Sequence, residues 1–248
     1  MTALKGKAVI VTGASSGIGA SLALGFSREG AFVTLAARRE DRLRDVARSC
    51  PCEVLVAPTD LLQERDRRTL IQETLGRWGR VDILVNNAGI GMYGPFLQTP
   101  EAVWRQIFEI NLFSMVFLTQ TVLPVMLARG EGLVLNLASI GGLIAHAEKV
   151  TAYVASKHAV VGFSRGLARE LAGTGIRVLA ACPHLTATEF FRFSPGAEEM
   201  APTVEKFKSF MDTPEDVAQG ILNQLDSDRL VVFPTAKPAK VFEKQRDL

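Results

Sequence analysis

A phenol and an amine stand four residues apart in the stretch AYVASKHAV, residues 152–160, as Tyr153 and Lys157. On a helix that spacing puts both side chains on one face. A phenol with an ordinary pKa of about 10 is a poor acid–base group near neutrality, but a neighbouring ammonium stabilises the phenolate and lowers that value. The pair therefore has the chemistry of a tuned proton donor. It is equally compatible with a tyrosine at the edge of a core and a solvated lysine beside it.

A second stretch with chemical capacity is TGASSGIG, which carries Gly13, Gly17 and Gly19. Glycines are needed where a chain turns tightly, where backbone approaches a pyrophosphate, and where a helix start packs on a strand. The loop follows the apolar run AVIVTG and opens a segment in which Ile18, Leu22 and Phe26 repeat every four residues, along one side of a helix. That is the context in which such a loop binds a dinucleotide at a helix N-terminus. A mere strand-to-helix turn could manage with fewer glycines.

The elements that must position these groups are legible as short β-branched runs at 8–13, 32–37, 53–58, 81–87, 133–139, 176–182 and 229–233. They are near-continuous rather than alternating, as strands covered on both faces should be. Segments with helical period lie between most of them. The expected fold is α/β: a doubly wound, Rossmann-type parallel sheet of about seven strands, with residues 1–248 as a single domain. Thr99-Pro100-Glu101 and Thr213-Pro214-Glu215 each offer a capping hydroxyl, a proline at the first helical position and an acid for the dipole. The first opens a long helix expected from about 101 toward 128, with Pro124 kinking or ending it. The least regular stretch, 183–210, leaves the carboxyl end of the sixth strand, where ligands bind in such sheets, and is expected to form a mobile substrate lid.

With 48% apolar and 22% charged residues, the 248-residue chain can bury a sizeable core. A net charge of +2 leaves no electrostatic footprint for nucleic acid or an anionic membrane. The apolar run near the N-terminus is too short for a signal peptide, and no later uninterrupted stretch approaches a membrane span. Cys50, Cys52 and Cys182 lack metal-ligand spacing, and the pair in CPC is too close for an unstrained bridge. No metal and a reduced, cytoplasmic location are expected.

TGASSGIG, NNAG at 86–89, Ser139 and YVASK at 153–157 occur in the order and at about the spacings of the short-chain dehydrogenase/reductase family, which the chain resembles from its first strand to about Thr188. The resemblance implies an oxidoreductase with a nicotinamide cofactor. In it Tyr153 transfers the proton, Ser139 holds the substrate oxygen, and Lys157 also binds the nicotinamide ribose. Asn111, in EINLFS, matches the asparagine whose backbone carbonyl positions a water in a relay to the lysine. By the same likeness Gly13, Ser15, Ser16, Gly17, Ile18 and Gly19 form the phosphate loop, and Asp60 and Leu61 meet the adenine. Asn87, Ala88 and Gly89 flank the adenine ribose, and Pro183 and Thr188 border the nicotinamide, Thr188 at its carboxamide.

NAD-preferring members place a carboxylate at the end of the second strand, where it accepts from the ribose hydroxyls and would repel a 2′-phosphate. This chain has Ala37 there, followed by Arg38 and Arg39. NADP(H) is the expected cofactor, with Arg38 the favoured contact. The alternative is that RREDRLRD is only the solvated start of a helix.

Two features depart from the family pattern. Pro183 is followed by His184 where glycine is customary, so a side chain either points away or enters the nicotinamide region, a surface histidine being the blander reading. Lys149 and His146 precede the tyrosine in a segment that commonly lines the substrate pocket, with solvation as their default. The tail LVVFPTAKPAKVFEKQRDL lacks the glycine-rich end of tetrameric members and looks more like the branch that reduces assorted ketones and aldehydes. The expected function is hydride transfer between NADP(H) and a small-molecule carbonyl or secondary alcohol. The alternatives are a 3-oxoacyl-thioester reductase and a non-catalytic NADP(H) sensor of the same fold. A homo-oligomer, dimer or tetramer, is left open.

Overall fold

The computed structural model describes residues 4–145 and 147–245. The apolar runs form β1 (Ala8–Thr12), β2 (Phe32–Ala37), β3 (Val54–Pro58), β4 (Ile83–Asn86), β5 (Gly132–Leu137), β6 (Ile176–Ala181) and the short β7 (Val231–Val232). All pair in parallel, in the order β3-β2-β1-β4-β5-β6-β7. The chain reverses its direction of travel across the sheet between β1 and β4, so the loops leaving their carboxyl ends part and open a crevice. The seven-stranded, Rossmann-type α/β fold expected from the sequence is the one observed.

Runs without polar alternation must be covered on both faces, and helices do this. On one face lie α1 (Gly17–Arg28), α2 (Glu40–Ser49) and α8 (Pro214–Leu222); on the other lie α3 (Glu64–Trp78), α5 (Ser114–Arg129) and α6 (Thr151–Glu170). Val9 and Val11 join Leu22, Phe26, Leu43 and Val217 in the first layer. Ile10, between them, joins Leu70, Leu118 and Val122 in the second. Phe26 is fully buried, and truncating such a side chain to alanine costs about 3–5 kcal/mol.

The long helix differs from expectation. It runs as α4 (Glu101–Phe108), a π turn at Glu109–Phe113, and α5. Pro124 sits exposed inside α5 and does not end it, because water can take the carbonyl that a proline frees. Gly130, in the left-handed conformation with φ 68°, ends it instead. Thr99 is not a cap, since its hydroxyl donates to the Pro95 carbonyl at 2.9 Å. Thr213 does cap α8, accepting from the Asp216 amide at 3.0 Å. Glu101–Arg129 is also long and apolar enough, by length and composition alone, to cross a membrane, contrary to the expectation above. In this fold Leu118, Val122 and Met126 place it as a core helix.

The stretch after β6 is more regular than its composition suggests. It contains a 3-10 turn at Glu189–Phe193, then α7 (Ala197–Phe207) and a second 3-10 turn at Lys208–Phe210. Its two ends are clamped: Asp212 donates its amide to the Leu185 carbonyl, and its own carbonyl accepts from Ala187, both at 2.9 Å. The tail forms α9 (Ala236–Gln245).

Candidate active site

Ser139 leaves the carboxyl end of β5 in extended conformation and caps the 3-10 turn Ile140–Gly142, its Oγ accepting from the Gly141 amide at 3.1 Å. The Ile140 amide donates to the Pro183 carbonyl at 2.9 Å, which ties this turn to the end of β6. Helix α6 lies directly on the turn. A Cβ on Gly142 would come within 2.6 Å of the Lys157 carbonyl oxygen, so only glycine permits that approach. A Cβ on Gly141 would sit 3.5 Å from Ser139 Oγ and 3.7 Å from Tyr153 Cε1. The turn thus brings serine and tyrosine to one wall.

Lys157 is buried, and its ammonium donates to the Leu137 carbonyl at 2.7 Å. It lies 5.9 Å from the centre of the Tyr153 ring. Burial pushes the Tyr153 phenol up to about 12, partly offset by a hydrogen bond with the Ser139 side chain. Desolvation by burial is the largest influence on the phenol. Burial likewise pulls Lys157 down to about 8. Cys182, beside it, is raised to about 12 by burial and stays a neutral thiol.

Asn111 lies in the π turn, 2% exposed. Its side chain accepts from the Ile90 amide at 2.8 Å and donates to the Ile90 carbonyl at 2.9 Å and to Ser156 Oγ at 3.0 Å. The asparagine side chain therefore braces the loop after β4 against α6. The NNAG segment is braced on its other side by β1: Thr12 Oγ1 accepts from the Asn87 and Ala88 amides, and Asn87 Nδ2 donates to the Thr12 carbonyl at 2.9 Å.

A cavity of about 600 Å³ connects these groups to the glycine loop, with Gly13, Asp60, Ala88, Ser139 and Tyr153 among the residues on its wall. Ser16, at the start of α1, makes no capping bond, and the first turn carries no acid. Amide donors and the positive helix end thus face the cavity with no acid in the helix's own first turn, which suits a phosphate. Gly19 is packed so closely that a Cβ would meet Asn87 Nδ2 and the Gly13 carbonyl oxygen, each at 2.4 Å. Asp60 and Leu61 line the far end, and Asp60 Oδ1 accepts from the Leu62 amide at 3.1 Å. These residues fit a nicotinamide dinucleotide.

Of the two arginines after β2, Arg38 is exposed at the rim, whereas Arg39 Nη2 donates to Ser15 Oγ and Ser16 Oγ, each at 3.1 Å. Both arginines lie on the cavity wall. Thr188 packs its methyl 2.9 Å from where a Cβ on Gly17 would stand, placing it over the glycine loop. His184 is half-buried on the cavity wall, not a surface histidine. Lys149 is exposed, has φ 60°, and holds its ammonium 5.6 Å from the Tyr93 ring centre. His146 lies outside the described residues.

Sequence reasoning missed three contributors. Gly142 was readable in principle, as the second of two glycines just after Ser139. Glu189, which pairs with Arg39, and Ser194, whose Oγ accepts from the Gly91 amide at 2.9 Å, carry no local signal. Phe190, in an apolar stretch, stands edge-on to Tyr153 with ring centres 5.8 Å apart.

A parallel sheet whose crevice joins a glycine-rich helix start to a buried polar cluster defines a dinucleotide-binding oxidoreductase class. Within it, the chain belongs to the short chain dehydrogenase family, whose model matches residues 7–198. The family uses nicotinamide cofactors. The chain is 40% identical over 186 residues to an L-fucose dehydrogenase of Bos taurus, covering 73% of this chain and 67% of that protein. A crystal structure of a short-chain dehydrogenase from Streptomyces avermitilis superposes with TM-score 0.84 at 33% identity, covering 96% of this chain and 91% of that one. A short chain dehydrogenase/reductase from Burkholderia phymatum in complex with NAD, at TM-score 0.88 and 24% identity over 98% of this chain and 94% of that one, shares the fold.

Proposed function

We propose that the protein carries out reversible hydride transfer between NADP(H) and a ketone, aldehyde or secondary alcohol. The observation that carries this reading is the convergence of Ser139 and Tyr153 on one wall of the cavity that also holds the glycine loop. The nicotinamide, when bound, supplies or accepts the hydride. The chain's residues do the rest. Ser139 orients the substrate oxygen. Tyr153 holds the proton that a reduced carbonyl oxygen must receive and takes it back when an alcohol is oxidised. Lys157, buried below it, carries a positive charge toward the ribose side, with Asn111 bracing the loop between them.

Gly13, Ser15, Ser16, Gly17, Ile18 and Gly19 would hold the pyrophosphate, and Asp60, Leu61, Asn87, Ala88 and Gly89 the adenosine half. Pro183 and Thr188 would border the nicotinamide. Support for NADP(H) is the absence of an acid at Ala37 and the presence of Arg39, with Arg38 near it. Beyond Tyr153 the wall is apolar, with Met92, Ile140, Val150, Val154 and Phe190, which favours a substrate with a hydrocarbon or aromatic body. All three cysteines are free, which suits a reducing compartment such as the cytoplasm.

The test is NADPH oxidation against ketones, aldehydes and an acetoacetyl thioester, with NADP-linked oxidation of L-fucose added because of the 40% identical relative. Tyr153→Phe should lower turnover by about 100-fold or more while leaving NADPH binding intact. Equal turnover in parent and variant would sink the mechanism.

A further inference from the structure

One short segment touches both ends of the cavity. Glu189 Oε2 accepts from Arg39 Nη1 at 3.2 Å. Phe193 lies against the same guanidinium, 5.4 Å from its carbon to the ring centre. Between them Phe190 contacts Tyr153, and Ser194 is fastened to Gly91. The other terminal nitrogen of Arg39 donates to the hydroxyls of Ser15 and Ser16. A guanidinium recognises phosphate through a planar fork of N–H donors. Here one arm of that fork is held by a carboxylate, so a 2′-phosphate that takes Arg39 must displace Glu189 or lie against it.

We propose that Glu189 sets cofactor selectivity from the substrate segment: it competes with the 2′-phosphate for Arg39 and stands in for the carboxylate that β2 lacks. The proposal rests on the NADP(H) reading above. A cofactor bearing the phosphate breaks the Arg39–Glu189 pair and frees the Arg39 end of residues 189–194, the segment that reaches Tyr153. A cofactor without it leaves the pair whole. Two arginines after β2 therefore overstate the preference for NADPH, because an acid from a distant part of the chain offsets them. Both partners are about one-third exposed, at 38% and 34%, so the effect is about two- to fivefold in affinity.

The experiment is calorimetric titration of the full chain with NADPH and with NADH, for the parent, Glu189→Gln, Arg39→Ala and the double variant. Glutamine keeps the size of the side chain and removes its charge. Glu189→Gln is expected to tighten NADPH by about two- to fivefold and to leave NADH within about twofold, and the gain should shrink when Arg39 is already alanine. Equal changes for both cofactors would mean that Glu189 acts only through packing, and full additivity in the double variant would mean bare repulsion; either overturns the proposal. An unchanged affinity ratio in Glu189→Gln, with Arg39→Ala still losing NADPH selectively, overturns the proposal and leaves the NADP(H) reading standing. If Arg39→Ala weakens both cofactors alike, the reading at Arg39 fails and takes the proposal with it.

Discussion

Gly142 stands so close to the Lys157 backbone that a Cβ on it would lie 2.6 Å from the Lys157 carbonyl oxygen. No ordinary van der Waals contact is that short. The absent side chain is what lets α6 rest on the turn after Ser139, and that contact fixes where Tyr153 stands relative to the serine.

Gly142→Ala should therefore force α6 and the turn apart. Overpacking of this kind costs about 1–3 kcal/mol, and a displacement of the tyrosine should lower turnover by at least about tenfold. Urea denaturation and steady-state kinetics on one preparation check both. A variant with the parent's midpoint and turnover would show that the turn yields freely.

Lys157 gives a stability signature with a definite sign. Its folded pKa of about 8 lies below the ordinary 10.5, so between those values the unfolded chain binds more protons and stability rises with pH. Below about pH 8 the native state bears the full cost of the buried ammonium. The stability of the parent relative to Lys157→Met should therefore increase between about pH 8 and pH 10. A difference that stays flat across this range would mean the lysine titrates normally.

Asn111→Leu would leave the Ile90 amide and carbonyl without their side-chain partners. Each buried polar group orphaned in this way costs about 1–3 kcal/mol. The denaturation midpoint should drop accordingly, and turnover should fall with the loss of the braced loop. An unaffected midpoint would show that water or a shifted loop restores the bonds.

Lys149 holds the left-handed backbone conformation that glycine adopts at far lower cost. Lys149→Gly should raise stability by about 0.5 kcal/mol, after the greater entropy of glycine in the unfolded chain is set against the relieved strain. Thermal unfolding should rise by about 1–2 °C. A fall in melting temperature would indicate that the contact with Tyr93 outweighs the strain.

Local spacing carries information only where neighbours in sequence are the neighbours that matter. The seven strands were legible because burial on both faces demands unbroken apolar runs, and the glycine loop because a strand and a periodic helix bracket it. Tyr153 and Lys157 do share a helix face as their spacing implies, yet their spacing says nothing of the burial that raises the phenol. The Leu137 carbonyl, from another element, accepts a hydrogen bond from the lysine, and burial of the phenol depends on everything that packs around it. The irregularity in the long helix was assigned to Pro124 but falls at Asn111, where bonds to Ile90 and Ser156 hold a π turn. Proline is visible in sequence, whereas the demand of a distant loop is not.

By itself, then, the sequence determined the type of the strands and the glycine-rich helix start, because each follows from periodicity or from a motif a few residues long, while its likeness to the short-chain dehydrogenases singled out the serine, tyrosine and lysine. The tertiary structure alone decided that Gly142 sets the approach of α6, that Arg39 rather than Arg38 meets the glycine loop, and that Glu189 joins the cavity. Those facts depend on which side chains a folded sheet brings within a few ångströms across long stretches of chain, and no local pattern records that.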